Sequence, residues 1–282
     1  MDSSRLRGVL LAVGSLAAFL FLLAVARVPV VSSQAKAMAN GDVVLHPAIL
    51  KLLYGGDSFL AANVETARIL TSGRLTDQES LGFFVRLHEG VSRLNPCHED
   101  AYYMASAFLS SGGAVRPALD TLGRAAKCRF WDEWAAFMLG LNQHFFAHDP
   151  AAAVVSIREA ALRAADPKVA NHFNVLAINI QARQFDDAKA ALRYLAQEKS
   201  RARDPALKEA LEKRIGRLQG LVNLRQAQAD YESRSKVALI DPADLLRTGV
   251  LKEFPVDPLG IGYEFSNGRF ELKQFVLEGQ RK

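Results

Sequence analysis

Residues 149–167, DPAAAVVSIREAALRAADP, decide the fold. They read as one helix, Pro150 to Ala165, between the turn His148-Asp149-Pro150 and the next proline at Pro167. Within it Ala153, Ile157 and Ala160 recur at helical spacing, so one side is apolar, with a small residue that lets a neighbour come close. The same pattern lies on either side. Ala118, Ala153 and Ala188 are 35 residues apart, each read as about four residues into a helix. Leu122, Ile157 and Leu192 follow four residues later, and Ala125, Ala160 and Leu195 seven residues later. A repeat of this length built from helices is the signature of a solenoid, in which each helical hairpin exposes an apolar face that only the next can cover.

Three helix pairs follow from this register: Glu99 to Leu109 with Arg116 to Lys127, Trp131 to Phe146 with Pro150 to Ala165, and Pro167 to Arg183 with Asp186 to Lys199. Their turns, Ser111-Gly112-Gly113, His148-Asp149-Pro150 and Arg183-Gln184-Phe185, are short enough to force antiparallel neighbours. A helix over Asp77 to Leu94, apolar at Leu81, Phe84, Val85, Leu87 and Val91, adds a fourth unit, with Phe83 in register with Ala118. Asp204-Pro205 opens a longer helix reaching about Tyr231. Its leucines point inward, and Lys208, Glu212, Lys213, Arg217 and Arg225 form a solvated outer face, as a cap requires. The tail changes class. Tyr263-Glu264-Phe265-Ser266 and Arg269-Phe270-Glu271-Leu272 alternate around Asn267-Gly268, the turn of a β-hairpin.

The N-terminus carries Gly8 to Ala26, GVLLAVGSLAAFLFLLAVA, without a charge and flanked by Arg5, Arg7 and Arg27. Nineteen helical residues reach about 30 Å, the thickness of a bilayer's hydrocarbon core. The stretch exceeds the usual apolar run of a secretory signal, although Ala24-Val25-Ala26 has the small-x-small form of a cleavage site. Read as a retained anchor with the N-terminus inside, it gives an expected organisation of transmembrane helix 1–27, linker 28–45, helical repeats 46–203, capping helix 204–240 and C-terminal turn and hairpin 241–282. The fold class is all-α with one small β-hairpin.

Of 282 residues half are hydrophobic, and 35 basic against 30 acidic residues are spread along the chain. That supports a sizeable core and lacks the basic stripe of a nucleic-acid binder. No glycine-rich phosphate loop or H-E-x-x-H occurs, and Gly260-Ile261-Gly262 lacks the strand-to-helix setting of a dinucleotide turn. His144 and His148 are four apart, but His148 falls in a turn and no third ligand accompanies them, so no metal, cofactor, catalytic residue or small-molecule substrate is expected. Cys97 and Cys128 fall at the same open end of one hairpin, which makes a disulfide reasonable; two separate buried thiols are the alternative.

Leu139-Gly140, the spaced alanines, the run Phe185-Asp186-Asp187-Ala188 and the prolines Pro96 and Pro167 make residues 57–203 resemble the tetratricopeptide-repeat (TPR) family. The first and third first-helices lack the Leu-Gly pair, so the resemblance is to a divergent, TPR-like member. The layout of anchor, degenerate repeats and closing hairpin is similar to bacterial inner-membrane-anchored repeat proteins. The resemblance implies a single-pass scaffold with its solenoid in the periplasm, binding a protein partner during assembly of a secretion, pilus or polysaccharide system. A cleaved, soluble periplasmic protein binding peptide or glycan is the alternative. First helices line the inner surface of such a solenoid, which points to Tyr103, Trp134, Phe137, Asn142, Asn171 and Asn174 as partner-binding residues. Asn142 and Asn174 would correspond to the family's carboxylate-holding asparagines, although Met138 stands where a basic partner belongs. The competing reading makes Trp134, Phe137 and Phe173 core residues between hairpins.

Overall fold

The computed structural model describes residues 43–71 and 78–273. The anchor over 8–26, most of the linker and residues 274–282 lie outside them. Among the described residues no helix is long and apolar enough to cross a membrane. The chain runs through α1 (Pro47–Leu53), α2 (Ser58–Thr71), α3 (Gln78–Leu94), α4 (Glu99–Met104), a π-helical turn (Ala105–Leu109), α5 (Val115–Cys128), α6 (Glu133–Phe145), α7 (Pro150–Arg163), α8 (Pro167–Ala182), α9 (Ala188–Arg201), α10 (Pro205–Ser235), α11 (Asp244–Arg247) and the strands β1 (Tyr263–Ser266) and β2 (Arg269–Leu272).

Several helix starts share one device. Asp149, Asp166 and Asp204 each accept backbone N–H groups of the following turn, at 2.9 Å from Ala152, 2.8 Å from Lys168 and 2.8 Å from Ala206. In each case proline opens the helix, where its missing N–H leaves no bond unmade.

Consecutive helices from α5 to α8 pack on one another in the manner of a helical repeat. The tightest seam joins α6 to α7. Ala153, Ile157 and Ala160 are buried there, and a Cβ on Gly140 would stand 2.5 Å from Ile157 Cγ1 and 3.1 Å from the Ala153 carbonyl. Gly140 is what lets the two backbones approach this closely.

Four expectations need correction. Asp132 caps α6 by accepting from Trp134 N at 2.9 Å, so the helix starts at Glu133 and Trp131 stays in the turn, exposed. Asp187 likewise accepts from Lys189 N and Ala190 N, making Ala188 the first residue of α9 rather than the fourth. The inward pair in this unit is therefore Ala191 and Leu195, and the 35-residue register breaks by three. Released from that register, α9 packs more heavily on α10 than on α8, with Leu195 beside Ile178 and Leu211. Third, α10 runs past Tyr231 to Ser235 and ends where Lys236 adopts φ 58°. Fourth, Arg217 and Arg225 do not face solvent; both point into the C-terminal segment folded over α10.

That segment is the hairpin. Tyr263 pairs with Leu272 and Phe265 with Phe270, across a turn in which Asn267 (φ 51°) and Gly268 (φ 73°) both take positive φ. The Phe270 carbonyl of β2 and the Gly268 carbonyl of the turn accept from Arg225 Nε (2.9 Å) and Gln228 Nε2 (2.7 Å) of α10, so helix side chains tie the hairpin to α10. Leu224, Leu239, Leu245 and Phe270 close a small core beneath it.

Candidate functional site

The residues singled out on the first helices do not form one surface. Asn142 is interior: it donates to Ser106 Oγ (2.7 Å) and to the Met138 carbonyl (2.8 Å), and its Oδ1 accepts from Ser110 Oγ. It ties α6 to the π-helical turn, which leaves no polar atom for a partner's carboxylate. Tyr103 is half-buried against Tyr102, ring to ring at 4.5 Å. Asn171 lies beside Asp204, the cap of α10, and Asn174 opens on a shallow hollow shared with Arg158, Glu198 and Leu207. Trp134, Phe137 and Phe173 do come together. Phe137 stacks on Phe173 at 4.5 Å and Trp134 meets both edge-on at 5.6 and 5.7 Å. Phe173 is buried while Trp134 is 40% exposed, so the trio is a core contact between α6 and α8 with one aromatic at the surface.

The two cysteines are joined, with Cα atoms 5.3 Å apart. Beside them lies a buried polar cluster. Asp132 accepts from Tyr102 Oη at 2.9 Å and Arg129 Nε at 2.7 Å, and Arg129 also donates to the Cys97 carbonyl. Burial first, then its bonds to Tyr103 and Asp132, push the Tyr102 phenol far above its ordinary range, so it stays a donor. Each of these groups is held by another, an arrangement suited to clamping the α4–α5 hairpin. Among the described residues no group of three or more His, Cys, Asp or Glu side chains is placed to hold a metal.

A cleft of about 450 Å³ lies elsewhere, between α8, α9, α10 and the C-terminal segment, with a floor of Ala191, Leu195, Leu218, Leu221 and Leu272. Four arginines line it: Arg183, Arg214, Arg217 and Arg225. Arg217 is neutralised, its Nε 2.9 Å from Asp257 Oδ2, and both side chains are largely buried. Burial alone would raise the Asp257 carboxyl, but N–H bonds from Leu259 (2.9 Å), Gly262 (2.7 Å) and Ile261 (3.1 Å), with Arg217, hold it below the usual range. The other three differ. Among the described residues Arg183, Arg214 and Arg225 form no ion pair, although Asp186 shares the rim. Arg214 is anchored by Asn179 Oδ1 (2.8 Å) and the Ala210 carbonyl (2.9 Å); burial, and then the charge of Arg217, push it below its ordinary value.

The splaying of α9 from α8 opens this cleft, and the register shift at Ala188 accompanies that splaying. In the sequence Arg217 and Arg225 lie on what looks like a solvated face of α10, and Arg214 belongs to no motif. The available signal was Arg214, Leu218, Leu221 and Arg225, which recur at three and four residues along one face of α10. Comparison of the chain with protein-family models, with curated proteins and with solved structures finds no match.

Proposed function

We propose that this protein is a non-enzymatic scaffold of TPR-like architecture, tethered by residues 8–26 to a bacterial inner membrane, whose helical stack holds a protein partner on the periplasmic side. The observation that carries the reading is the cleft between α8, α9 and α10: a leucine floor with arginines at its rim suits a polypeptide segment that buries apolar side chains and pairs its charges. The Cys97–Cys128 disulfide supports an oxidising compartment. The surface-exposed Trp134 supports a second, smaller contact on the α6–α8 side.

Site-specific photocrosslinking in native membranes tests the reading. The expected result is one predominant polypeptide adduct from a crosslinking residue placed at Phe185 or Ile261, and none from one placed at Leu162, which is exposed and outside the cleft's lining. Adducts from Trp134 alone would move the site to the aromatic face. Absence of a polypeptide adduct from any of these positions would sink the scaffold reading. A full-length chain in the membrane fraction is expected; a chain beginning near residue 27, after cleavage at Ala26, would favour the soluble alternative.

A further inference from the structure

The proposed partner site has a charge layout that specifies its occupant more closely, an inference that rests on the scaffold reading above. Arg214, Leu218, Leu221 and Arg225 all line the cleft and share one face of α10. Arg214 and Arg225 are eleven residues apart, a separation of about 16 Å along the axis with nearly the same heading. Two cations without carboxylate partners among the described residues thus stand at the ends of an apolar strip. Each is fixed from behind, Arg214 by Asn179 and Arg225 by the Phe270 carbonyl, which leaves other guanidinium N–H groups for a ligand. A second hollow of about 210 Å³ shares Asp186, Ala188 and Arg225 with the first. The concavity is therefore a groove, longer than a compact anion needs.

We infer that this groove binds an extended polypeptide segment carrying two acidic residues about four to six positions apart, the span that about 16 Å corresponds to at an extended chain's rise. Apolar side chains between them rest on Leu218 and Leu221. One carboxylate meets Arg214 and the other Arg225, each pair gaining strength from the partly desolvated setting. A small dicarboxylate satisfies one arginine at most and leaves the leucines uncovered.

Selection from a displayed library of random 12-residue peptides, with the full chain in detergent micelles as bait, tests this. The expected winners carry the spaced acidic pair with apolar residues between. Their affinity should fall at least tenfold with Arg214→Gln/Arg225→Gln, hold within about threefold with Arg214→Lys/Arg225→Lys, and not change with Val155→Ala, an exposed position on α7. Thermal unfolding of each variant separates lost binding from lost fold. Winners without acidic residues that still compete with a groove crosslink would overturn the charge assignment and leave the scaffold reading standing. Displacement by millimolar succinate, or binding unaffected by the glutamine pair, would also overturn it. If no peptide is enriched, the acidic-segment inference fails, and the crosslinking experiment alone then decides the scaffold reading.

Discussion

The two ends of the helical stack are finished differently. At the C-terminal end α10, α11 and the hairpin fold over the last repeat; Leu245 and Leu224 are buried to 1% exposure or less, and the buried carboxylate Asp257 has an arginine and three N–H groups. At the N-terminal end Leu52, Leu53, Phe59 and Leu70 are between 60 and 80% exposed among the described residues, and the buried imidazole of His88 has no side-chain partner. The first end was completed with polypeptide, and the completion left the arginine groove. At the second, apolar side chains of the first two helices stay exposed among the described residues. The apolar end face of a helical stack does not vanish; it has to be met by a different element.

Asp257→Ala breaks the C-terminal finish most severely. It leaves Arg217 buried without its counter-ion and frees three N–H groups, so a loss of about 3–5 kcal/mol is expected in denaturant unfolding. A loss under about 1 kcal/mol would mean the cap contributes little to the fold. Between the ends, the disulfide closes a separation of 31 residues; reduction, or Cys97→Ser/Cys128→Ser, should cost about 4 kcal/mol in the chain-entropy account. An unchanged melting temperature after reduction would contradict that.

Acid distinguishes the ends directly. Burial, outweighing the opposing pull of the Ala101 backbone, lowers His88 from 6.5 to about 4. The unfolded chain therefore binds a proton that the folded chain refuses, and this stability is whole above pH 6.5 and lost as pH falls toward 4. The effect is up to about 3 kcal/mol. Asp257, held low, gives up its contribution only below the ordinary carboxylate range. Hydrogen exchange from pH 7 down to 4.5 should show α2 and α3 loosening before α10, and His88→Leu should abolish the difference. Equal protection at both ends throughout would refute it. The smallest effect completes the comparison: Leu52→Glu should change stability by less than about 0.5 kcal/mol, whereas Leu245→Ala, from a fully buried site, should cost about 2–5 kcal/mol.

Periodicity made the helical stack readable because burial along a helix repeats with the helix itself. Ala118/Leu122 and Ala153/Ile157 occupy the inward positions their spacing implies, and Gly140 marks the closest seam. Asn267-Gly268 specified the hairpin by backbone conformation alone, since both residues take positive φ. Local pattern failed where a cap or a distant segment intervened. Asp187 moved the start of α9 and with it the third alanine, although the residues on either side still read as helical. Asn142 has the composition of a ligand-holding amide and is consumed by Ser106 and Ser110, which lie more than thirty residues away. Arg214, Arg217 and Arg225 look like a solvated face because charge on an outer helix usually is one. Residues 255–273 fold back on α10 and turn that face into a groove, neutralising one arginine and leaving the other two without a carboxylate. The sequence by itself determined the helices, their antiparallel turns and the closing hairpin, all set by contacts between near neighbours in the chain. Which charges meet a partner within the fold, and so which remain for a ligand, was decided by tertiary structure alone, because that pairing depends on segments some 40 residues apart coming within 3 Å of one another.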